Sequence, residues 1–211
     1  MIFEQVRVGG DRNFAYIVGD EQSKEAAAVD PSCNPELVLT KIKDYGLTLT
    51  YVINTHGHYD HTGGNSYMLQ HTDAKLAAYG AGRTGIDVKD GDVLKLGALD
   101  LAIIHAPGHT ADGICILADG KLMTGDTLFV GKVGGTGFGK DARAEYDALH
   151  RKLLTLPGET EVWPGHDYGV APTSTIDHEK KTNPFLLCTS FDAFVDLKKN
   201  WAEYKRVHGI T

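Results

Sequence analysis

Hydrophobic and polar positions change their period several times along this chain. Short runs of branched and apolar side chains are typical of strands, and they occur at residues 6–8, 14–18, 26–29, 49–54, 101–104 and 121–123. Amphipathic stretches predict helices at residues 35–46, 144–154 and 191–201. Strands and helices alternate over the whole length, which predicts a layered α/β protein.

The helix predicted at residues 35–46 has recognisable ends. Asn34 is a candidate N-cap, Pro35 occupies the first helical position, and Gly46 ends the helix. No linker, low-complexity tract or repeat interrupts the chain, and 211 residues suffice for one substantial core. We therefore expect residues 1–211 to form a single domain with a short C-terminal helical extension.

The densest group of metal-binding side chains directly follows the strand predicted at residues 49–54. Within six residues the chain carries His56, His58, Asp60 and His61. Imidazole suits zinc or iron, and a carboxylate adds negative charge and an oxygen ligand. A polar turn with solvated histidines is the alternative. The alternating spacing presents His56 and His58 together, however, and favours a metal site in the loop after a strand.

Three further ligand-type residues occur in similar local settings. His109, Asp126 and His166 each follow a strand-like run and a turn that contains glycine. With the first four they make seven ligand-type residues, too many for one tetrahedral metal. Seven are enough for two metals that share a bridging carboxylate and leave a position open for water or substrate.

The order of these motifs resembles the metallo-β-lactamase superfamily, in its glyoxalase II-like branch. The resemblance extends over about residues 14–187, and its signature is His-x-His-x-Asp-His, then Pro-Gly-His-Thr, then Gly-Asp-Thr, then Pro-Gly-His. It implies an αββα sandwich, in which two mixed β-sheets pack face to face with helices on both outer faces. It also implies that the metals lie at one edge of the sandwich.

The resemblance also assigns the metal ligands. It implies that one metal is held by His56, His58 and His109, and the other by Asp60, His61 and His166. Asp126 would bridge the two ions. We expect two divalent ions, with zinc preferred over iron or manganese.

Hydrolysis is the activity that this resemblance implies. Two divalent cations that share a water lower its pKa to about neutral and present hydroxide to an acyl carbonyl. A thiolate leaves readily, so thioesters suit such a site. By similarity to glyoxalase II, we expect hydrolysis of a small-molecule thioester such as an S-acyl glutathione, with Asp60 and Asp126 as the catalytic carboxylates.

The chain also resembles the persulfide dioxygenases. In that family a single ferrous ion is held by the residues that match His56, His109 and Asp126, the two-histidine, one-carboxylate triad of non-haem iron oxygenases. Residues 165–169 and 182–186 share this resemblance. A non-catalytic binding module is a third alternative, disfavoured because all seven ligand-type residues are intact.

The substrate contacts are less well specified than the metal ligands. Relatives of both kinds carry a cation shortly after the Gly-Asp motif, in a Cys-Gly-Arg or Cys-Gly-Lys segment that helps to hold glutathione. Gly135 stands at the position of that cation here. This departure predicts weak selectivity for glutathione. Lys132 and Tyr168 are the candidate substrate-binding residues.

Composition limits the partners. A net charge of −7 without a compensating basic stripe argues against nucleic-acid binding. No apolar run approaches membrane-spanning length, and the first residues lack a signal pattern, so we expect no membrane association. Three scattered cysteines fit a reducing cytoplasm, and a homo-oligomer is compatible with the sequence.

Asp30 and five histidines lie outside the motifs described above. Asp30 follows a predicted strand and is either an outer carboxylate that orients a ligand imidazole or a turn-forming residue before Pro31. His105 is interpreted as a satisfied structural histidine. Four more histidines are interpreted as surface residues: His71, His150, His178 and His208.

Overall fold

A computed structural model gives the structure of residues 1–209, which form two six-stranded sheets and a two-stranded ribbon. In the first sheet the strands lie in chain order: β1 (Ile2–Gly9), β2 (Asn13–Gly19), β3 (Glu25–Val29), β4 (Thr48–Ile53), β5 (Lys75–Tyr79) and β6 (Ile86–Val88). β1 to β3 are antiparallel neighbours and β3 to β6 are parallel neighbours, so this sheet is mixed.

The second sheet is mixed as well. Its strands are β7 (Val93–Leu96), β8 (Leu99–His105), β9 (Ile114–Ala118), β10 (Lys121–Gly125), β13 (Glu161–Pro164) and β14 (Ser174–Thr175). They lie in the order β14-β13-β10-β9-β8-β7, and only the β10–β13 pair is parallel. The ribbon joins β11 (Leu128–Phe129) to β12 (Lys132–Val133).

Helices cover the outer faces of both sheets. They are α1 (Pro35–Asp44), α2 (Tyr59–Thr62), α3 (Asn65–His71), α4 (Lys140–Arg151), α5 (Ile176–Thr182), α6 (Phe191–Lys199) and α7 (Trp201–His208), with 3₁₀ turns at Gly82–Thr84 and Leu153–Thr155. α1 and α3 bury their apolar faces on the first sheet, and α4, α5 and α6 bury theirs on the second. No helix among residues 1–209 has the length and apolar character needed to cross a membrane.

The main core lies between the two sheets. Phe14 and Tyr16 of the first sheet pack against Ile103, Ile116 and Met123 of the second, and all five side chains are at most 2% exposed. Removing this much apolar surface from water is the dominant favourable contribution to folding. The predicted αββα sandwich is therefore confirmed. The assignment of residues 1–211 to one domain stays a prediction, and its last two residues lie outside the described part.

Backbone hydrogen bonds join the two sheets along one edge. The amide of Phe14 donates to the carbonyl of Gly165 at 2.8 Å, and the amide of Ile114 donates to the carbonyl of Thr55 at 2.8 Å. Each bond connects a segment of one sheet to a segment of the other. The loops at this edge are therefore held on a rigid frame, as expected for loops that carry function.

Helix ends agree with the sequence at the start of α1 but not near the C-terminus. The Asn34 side chain accepts a hydrogen bond from the Leu37 amide at 3.2 Å, which confirms the predicted N-cap. The prediction of a single helix at residues 191–201 is wrong, because α6 ends at Lys199 and α7 begins at Trp201. There the Asn200 side-chain amide donates to the Asp196 carbonyl at 2.9 Å and competes with continued helical bonding.

Truncating a buried side chain between the sheets should destabilise the protein strongly. Leu96 is fully buried, so we expect Leu96→Ala to lower the free energy of unfolding by about 2–5 kcal/mol, since it loses apolar burial and leaves a cavity. Val93 lies on the same strand and is 46% exposed, which makes Val93→Ala a matched control with an expected change below about 0.5 kcal/mol. Urea unfolding followed by tryptophan fluorescence measures both values. Equal losses in the two variants would contradict this account of the core.

Candidate metal centre

The structure brings all seven predicted ligand residues to the edge where the two sheets are joined. Each lies in, or directly follows, a loop at the carboxyl end of a strand. The sites of origin are the loop after β4 (His56 and His58), the short helix α2 (Asp60 and His61), and the segments after β8, β10 and β13 (His109, Asp126 and His166). Because β10 and β13 are parallel neighbours, Asp126 and His166 emerge side by side.

Three imidazoles form the first group of donor atoms. Nε2 of His56 lies 3.0 Å from Nδ1 of His58, and Nε2 of His109 lies 3.1 Å from the same Nδ1 atom. The nitrogens of a tetrahedral zinc site with bonds of about 2.0–2.1 Å lie roughly 3.3 Å apart. The spacing of this group therefore fits a single cation.

A carboxylate and two imidazoles form the second group. Nε2 of His61 lies 3.2 Å from Nε2 of His166. Oδ2 of Asp60 lies 3.6 Å from the His61 nitrogen and 3.4 Å from the His166 nitrogen. This arrangement also fits one cation.

Asp126 lies between the two groups and contacts both. Its Oδ2 is 3.6 Å from Nε2 of His109 in the first group and 3.4 Å from Nε2 of His166 in the second. Its Oδ1 is 3.4 Å from Nε2 of His61, is buried, and has no hydrogen-bond partner among residues 1–209. A buried carboxylate oxygen without a donor is costly unless a cation satisfies it.

Hydrogen bonds from two imidazole rings to backbone carbonyls fix which ring nitrogen faces the site. Nδ1 of His109 lies 2.8 Å from the carbonyl of Gly135, and Nδ1 of His166 lies 2.8 Å from the carbonyl of Asp11. A carbonyl only accepts, so each Nδ1 must carry the proton. Their Nε2 lone pairs therefore point inward, which is the arrangement of ligating histidines with outer hydrogen-bond partners.

Asp30 performs the same role for His61. Its Oδ2 lies 2.8 Å from Nδ1 of His61, while its two oxygens also accept from the amide and hydroxyl of Thr55 at 2.8 and 2.6 Å. Of the two alternatives that the sequence left for Asp30, the structure shows the carboxylate that orients an imidazole.

At His61 and Asp126 the neighbouring charges and burial shift the pKa in opposite directions. Burial disfavours the imidazolium form of His61, yet the neighbouring carboxylates, Asp30 foremost, outweigh it and raise the pKa of His61 to about 9. Burial also disfavours the charged form of Asp126, but the surrounding imidazoles, His166 foremost, lower its pKa to about 2. Positive charge is thus stabilised beside the carboxylates of the second group, whereas burial lowers the pKa of His56 in the first group to about 4, which keeps its nitrogen free to ligate.

Comparison with known families agrees with this geometry. The model of the metallo-beta-lactamase superfamily matches residues 8–84 and 77–166. The chain belongs to the metallo-β-lactamase superfamily. The two matched segments together include all seven ligand-type residues.

Relatives within the superfamily carry two different names. A hydroxyacylglutathione hydrolase of Polaromonas sp. is 40% identical over 178 residues, which cover 80% of this chain and 67% of the relative. The mitochondrial persulfide dioxygenase ETHE1 of Homo sapiens is 32% identical, with 89% and 76% covered. The crystal structure of ETHE1 from Myxococcus xanthus superposes with a TM-score of 0.89 at 35% identity, with 95% and 91% covered. These similarities support a metalloenzyme of this superfamily and do not separate the two reactions.

Sequence reasoning missed two residues that support the centre, Asp11 in the β1–β2 turn and Asn13 at the start of β2. The Asn13 side-chain amide donates to Oδ2 of Asp60 at 3.0 Å and to its backbone carbonyl at 3.1 Å. Asp11 supplies the carbonyl that fixes His166 and accepts from the Tyr168 hydroxyl through its carboxylate. Nothing in the local sequence pattern of residues 11–13 indicates these contacts.

The two candidate substrate residues lie on the wall of a cavity of about 750 Å³ beside the centre. The Tyr168 ring stacks on the His166 ring with centroids 4.6 Å apart, and Nζ of Lys132 lies 4.3 Å from the Tyr168 centroid. The Tyr168 hydroxyl is engaged by Asp11, and burial together with that hydrogen bond raises its pKa. Tyr168 therefore acts here as a neutral aromatic wall.

The other histidines lie outside the cluster. His105 is satisfied, since its Nε2 donates to the Ala111 carbonyl at 3.0 Å and its ring stacks on Tyr79. His71, His178 and His208 are exposed as predicted, and the last two also line the cavity. The surface prediction for His150 is wrong, because its ring is half-buried, stacks on Tyr146 and donates through Nδ1 to the Tyr146 carbonyl at 3.0 Å.

Metal analysis tests the two donor groups directly. After reconstitution with zinc, the protein should contain about two zinc ions per chain, measured by elemental analysis. His61→Ala removes a nitrogen donor of the second group, so we expect that variant to retain about one. His71→Ala changes an exposed histidine outside the cluster and should leave the stoichiometry at about two. A stoichiometry of one ion per chain that does not change in His61→Ala would contradict the assignment.

Proposed function

We propose that this protein is a metal-dependent hydrolase that cleaves thioesters of the hydroxyacylglutathione type and uses two divalent ions, zinc in preference to iron or manganese. The observation that carries the proposal is the presence of two complete donor groups on either side of Asp126. A single-metal mechanism does not need the second group as ligands, whereas a two-metal hydrolase uses both.

The residues have defined roles in this proposal. His56, His58 and His109 would hold one ion, Asp60, His61 and His166 the other, and Asp126 would bridge them. Two such ions, when bound, lower the pKa of a shared water to about neutral and polarise an acyl carbonyl.

The two catalytic carboxylates differ in exposure. The Asp126 side chain is 11% exposed, so its negative charge lies deep between the donor groups and offsets cationic charge there. The Asp60 side chain is 42% exposed and faces the open side of the centre. The Asn13 amide keeps the Asp60 carboxylate in place at 3.0 Å, and together with the nearby imidazoles it lowers the Asp60 pKa against the effect of burial. Asp60 would therefore meet solvent and substrate more readily than the enclosed Asp126 does.

The adjoining cavity supports an anionic substrate arm. Three cationic side chains line it, from the β1–β2 turn (Arg12), the ribbon (Lys132) and α7 (Lys205), although the whole chain has a net charge of −7. Burial foremost, together with the neighbouring Lys205, lowers the pKa of Lys132 against the opposing effect of Asp126 and Asp11. Carboxylates of a glutathione-type substrate would pair with these cations while the acyl group reaches the centre.

A second candidate function is persulfide dioxygenation with one ferrous ion. His56, His109 and Asp126 lie in the same centre and provide a two-histidine, one-carboxylate set. The close superposition on ETHE1 of Myxococcus xanthus favours keeping this alternative. Under it, Asp60, His61 and His166 would be hydrogen-bonding neighbours of the iron ligands.

Two parallel assays separate the hydrolase from the oxygenase. The protein is incubated with S-lactoylglutathione and, separately, with glutathione persulfide, while thioester loss and oxygen uptake are followed. We expect thioester cleavage without oxygen uptake, since two complete donor groups suit a shared water. Rapid, iron-dependent oxygen uptake with the persulfide and no thioester cleavage would overturn the hydrolase proposal.

The cationic cavity makes a prediction about KM. Lys132→Met keeps most of the side-chain volume but removes a charge, so KM for S-lactoylglutathione should rise by roughly tenfold with little change in kcat, since a hydrogen bond to a charged group contributes about 1.5–3 kcal/mol. Lys43→Met removes the same charge from the exposed face of α1 and serves as the control. Steady-state kinetics measure both. An unchanged KM in Lys132→Met would remove Lys132 from the substrate site.

A further inference from the structure

A buried ion pair lies behind the loops that carry His109. Glu145 on α4 and Lys198 on α6 are 0% and 6% exposed, and Nζ of Lys198 lies 2.6 Å from Oε2 of Glu145. Neither Glu145 oxygen has a well-aligned hydrogen bond within residues 1–209, and burial raises the pKa of Glu145 to about 7 against the opposing effect of Lys198. Burying two charges is costly, and an apolar pair of similar volume is often at least as stable. Stability alone therefore gives no reason for this pair.

Glu145 packs directly against backbone on both sides of the His109 loop. Gly108 precedes His109 with φ +155°, and a Cβ atom there would collide with the Glu145 Cβ. A Cβ at Gly134 would lie 3.0 Å from the Cβ of His109 and 3.1 Å from Oε1 of Glu145. The Glu145 side chain is thus in contact range of the two segments that enclose His109.

Lys198 reaches the same place from α6. Its Nζ donates to the Gly134 carbonyl at 2.6 Å. The next carbonyl along the chain, that of Gly135, accepts from Nδ1 of His109 at 2.8 Å. Consecutive peptide planes share one α-carbon, so with the Gly134 carbonyl fixed only the φ and ψ angles of Gly135 can turn the Gly135 carbonyl away from His109.

We propose that Lys198, held in place by Glu145, is a positioning residue that sets the orientation and tautomer of His109 through the Gly134–Gly135 backbone. These contacts run from α6 to the metal centre, and among residues 1–209 no hydrogen bond or ion pair joins Glu145 or Lys198 to a donor atom of the centre. The proposal rests on the proposed function only in treating His109 as a metal ligand. The state of the His109 ring can be measured without that assumption.

Two variants of the full-length protein test the pair. Lys198→Met removes the donor to Gly134, and Glu145→Gln/Lys198→Met removes both charges with little change in volume, so that no unpaired charge stays buried. Long-range ¹H–¹⁵N spectra report which nitrogen of His109 carries the proton. We expect a fixed Nδ1–H form in the wild type and a mixture of tautomers in both variants.

Metal affinity gives the second readout. Loss of an outer hydrogen-bond partner typically weakens a metal site by 10–100-fold, so we expect at least about tenfold weaker zinc binding in the first donor group, measured by chelator competition. The other group should be unaffected. Lys41→Met breaks a Lys–Glu pair of the same 2.6 Å length with Glu4 and serves as the control that should change neither readout.

The outcomes separate this inference from the proposed function. A double variant with wild-type melting temperature, wild-type His109 signals and unchanged zinc affinity would overturn the positioning role. If the wild type binds no metal, the metal-dependent hydrolase fails, but the His109 tautomer still decides the role of Lys198. A double variant that folds as stably as the wild type yet loses the fixed tautomer would support it, since a purely structural pair would leave the ring unchanged.

Discussion

The convergence of seven donor side chains at one sheet edge is the constraint on which the rest of the structure depends. Ring nitrogens of His56, His58 and His109 face one another at 3.0–3.1 Å, and a buried oxygen of Asp126 has no hydrogen-bond donor among residues 1–209. Lone pairs and carboxylates held this close repel one another unless positive charge is shared between them. The fold therefore accepts an unfavourable arrangement that bound cations would stabilise.

The sandwich keeps these donors in place by using both sheets. Backbone bonds from Phe14 to Gly165 and from Ile114 to Thr55 join the sheets beside the centre, so neither side can shift alone. Beyond the donors, Asp30 and the carbonyls of Asp11 and Gly135 fix the histidine rings. These partners come from distant parts of the chain, which makes the geometry of the centre a property of the whole fold.

Much of the fold and of the residues that converge at the candidate site could be predicted from the sequence, because each depends on local pattern. Strands appear as short apolar runs, and each ligand-type residue follows such a run at a turn. The supporting contacts could not be predicted in this way. Asp11 and His166 are 155 residues apart, and the approach of Lys198 to Gly134 depends on how α6 packs. The split at Asn200 was missed because a side-chain hydrogen bond there outweighs the helical period.

The central claim is that Asp126 separates two cations, and anomalous diffraction at the zinc edge tests it most directly. Crystals of the zinc-reconstituted protein should show two anomalous peaks on either side of the Asp126 carboxylate, about 3.5–4 Å apart as in other two-metal hydrolytic sites. One peak should lie among His56, His58 and His109, and the other among Asp60, His61 and His166. A single peak held by His56, His109 and Asp126, with none in the second group, would contradict the account.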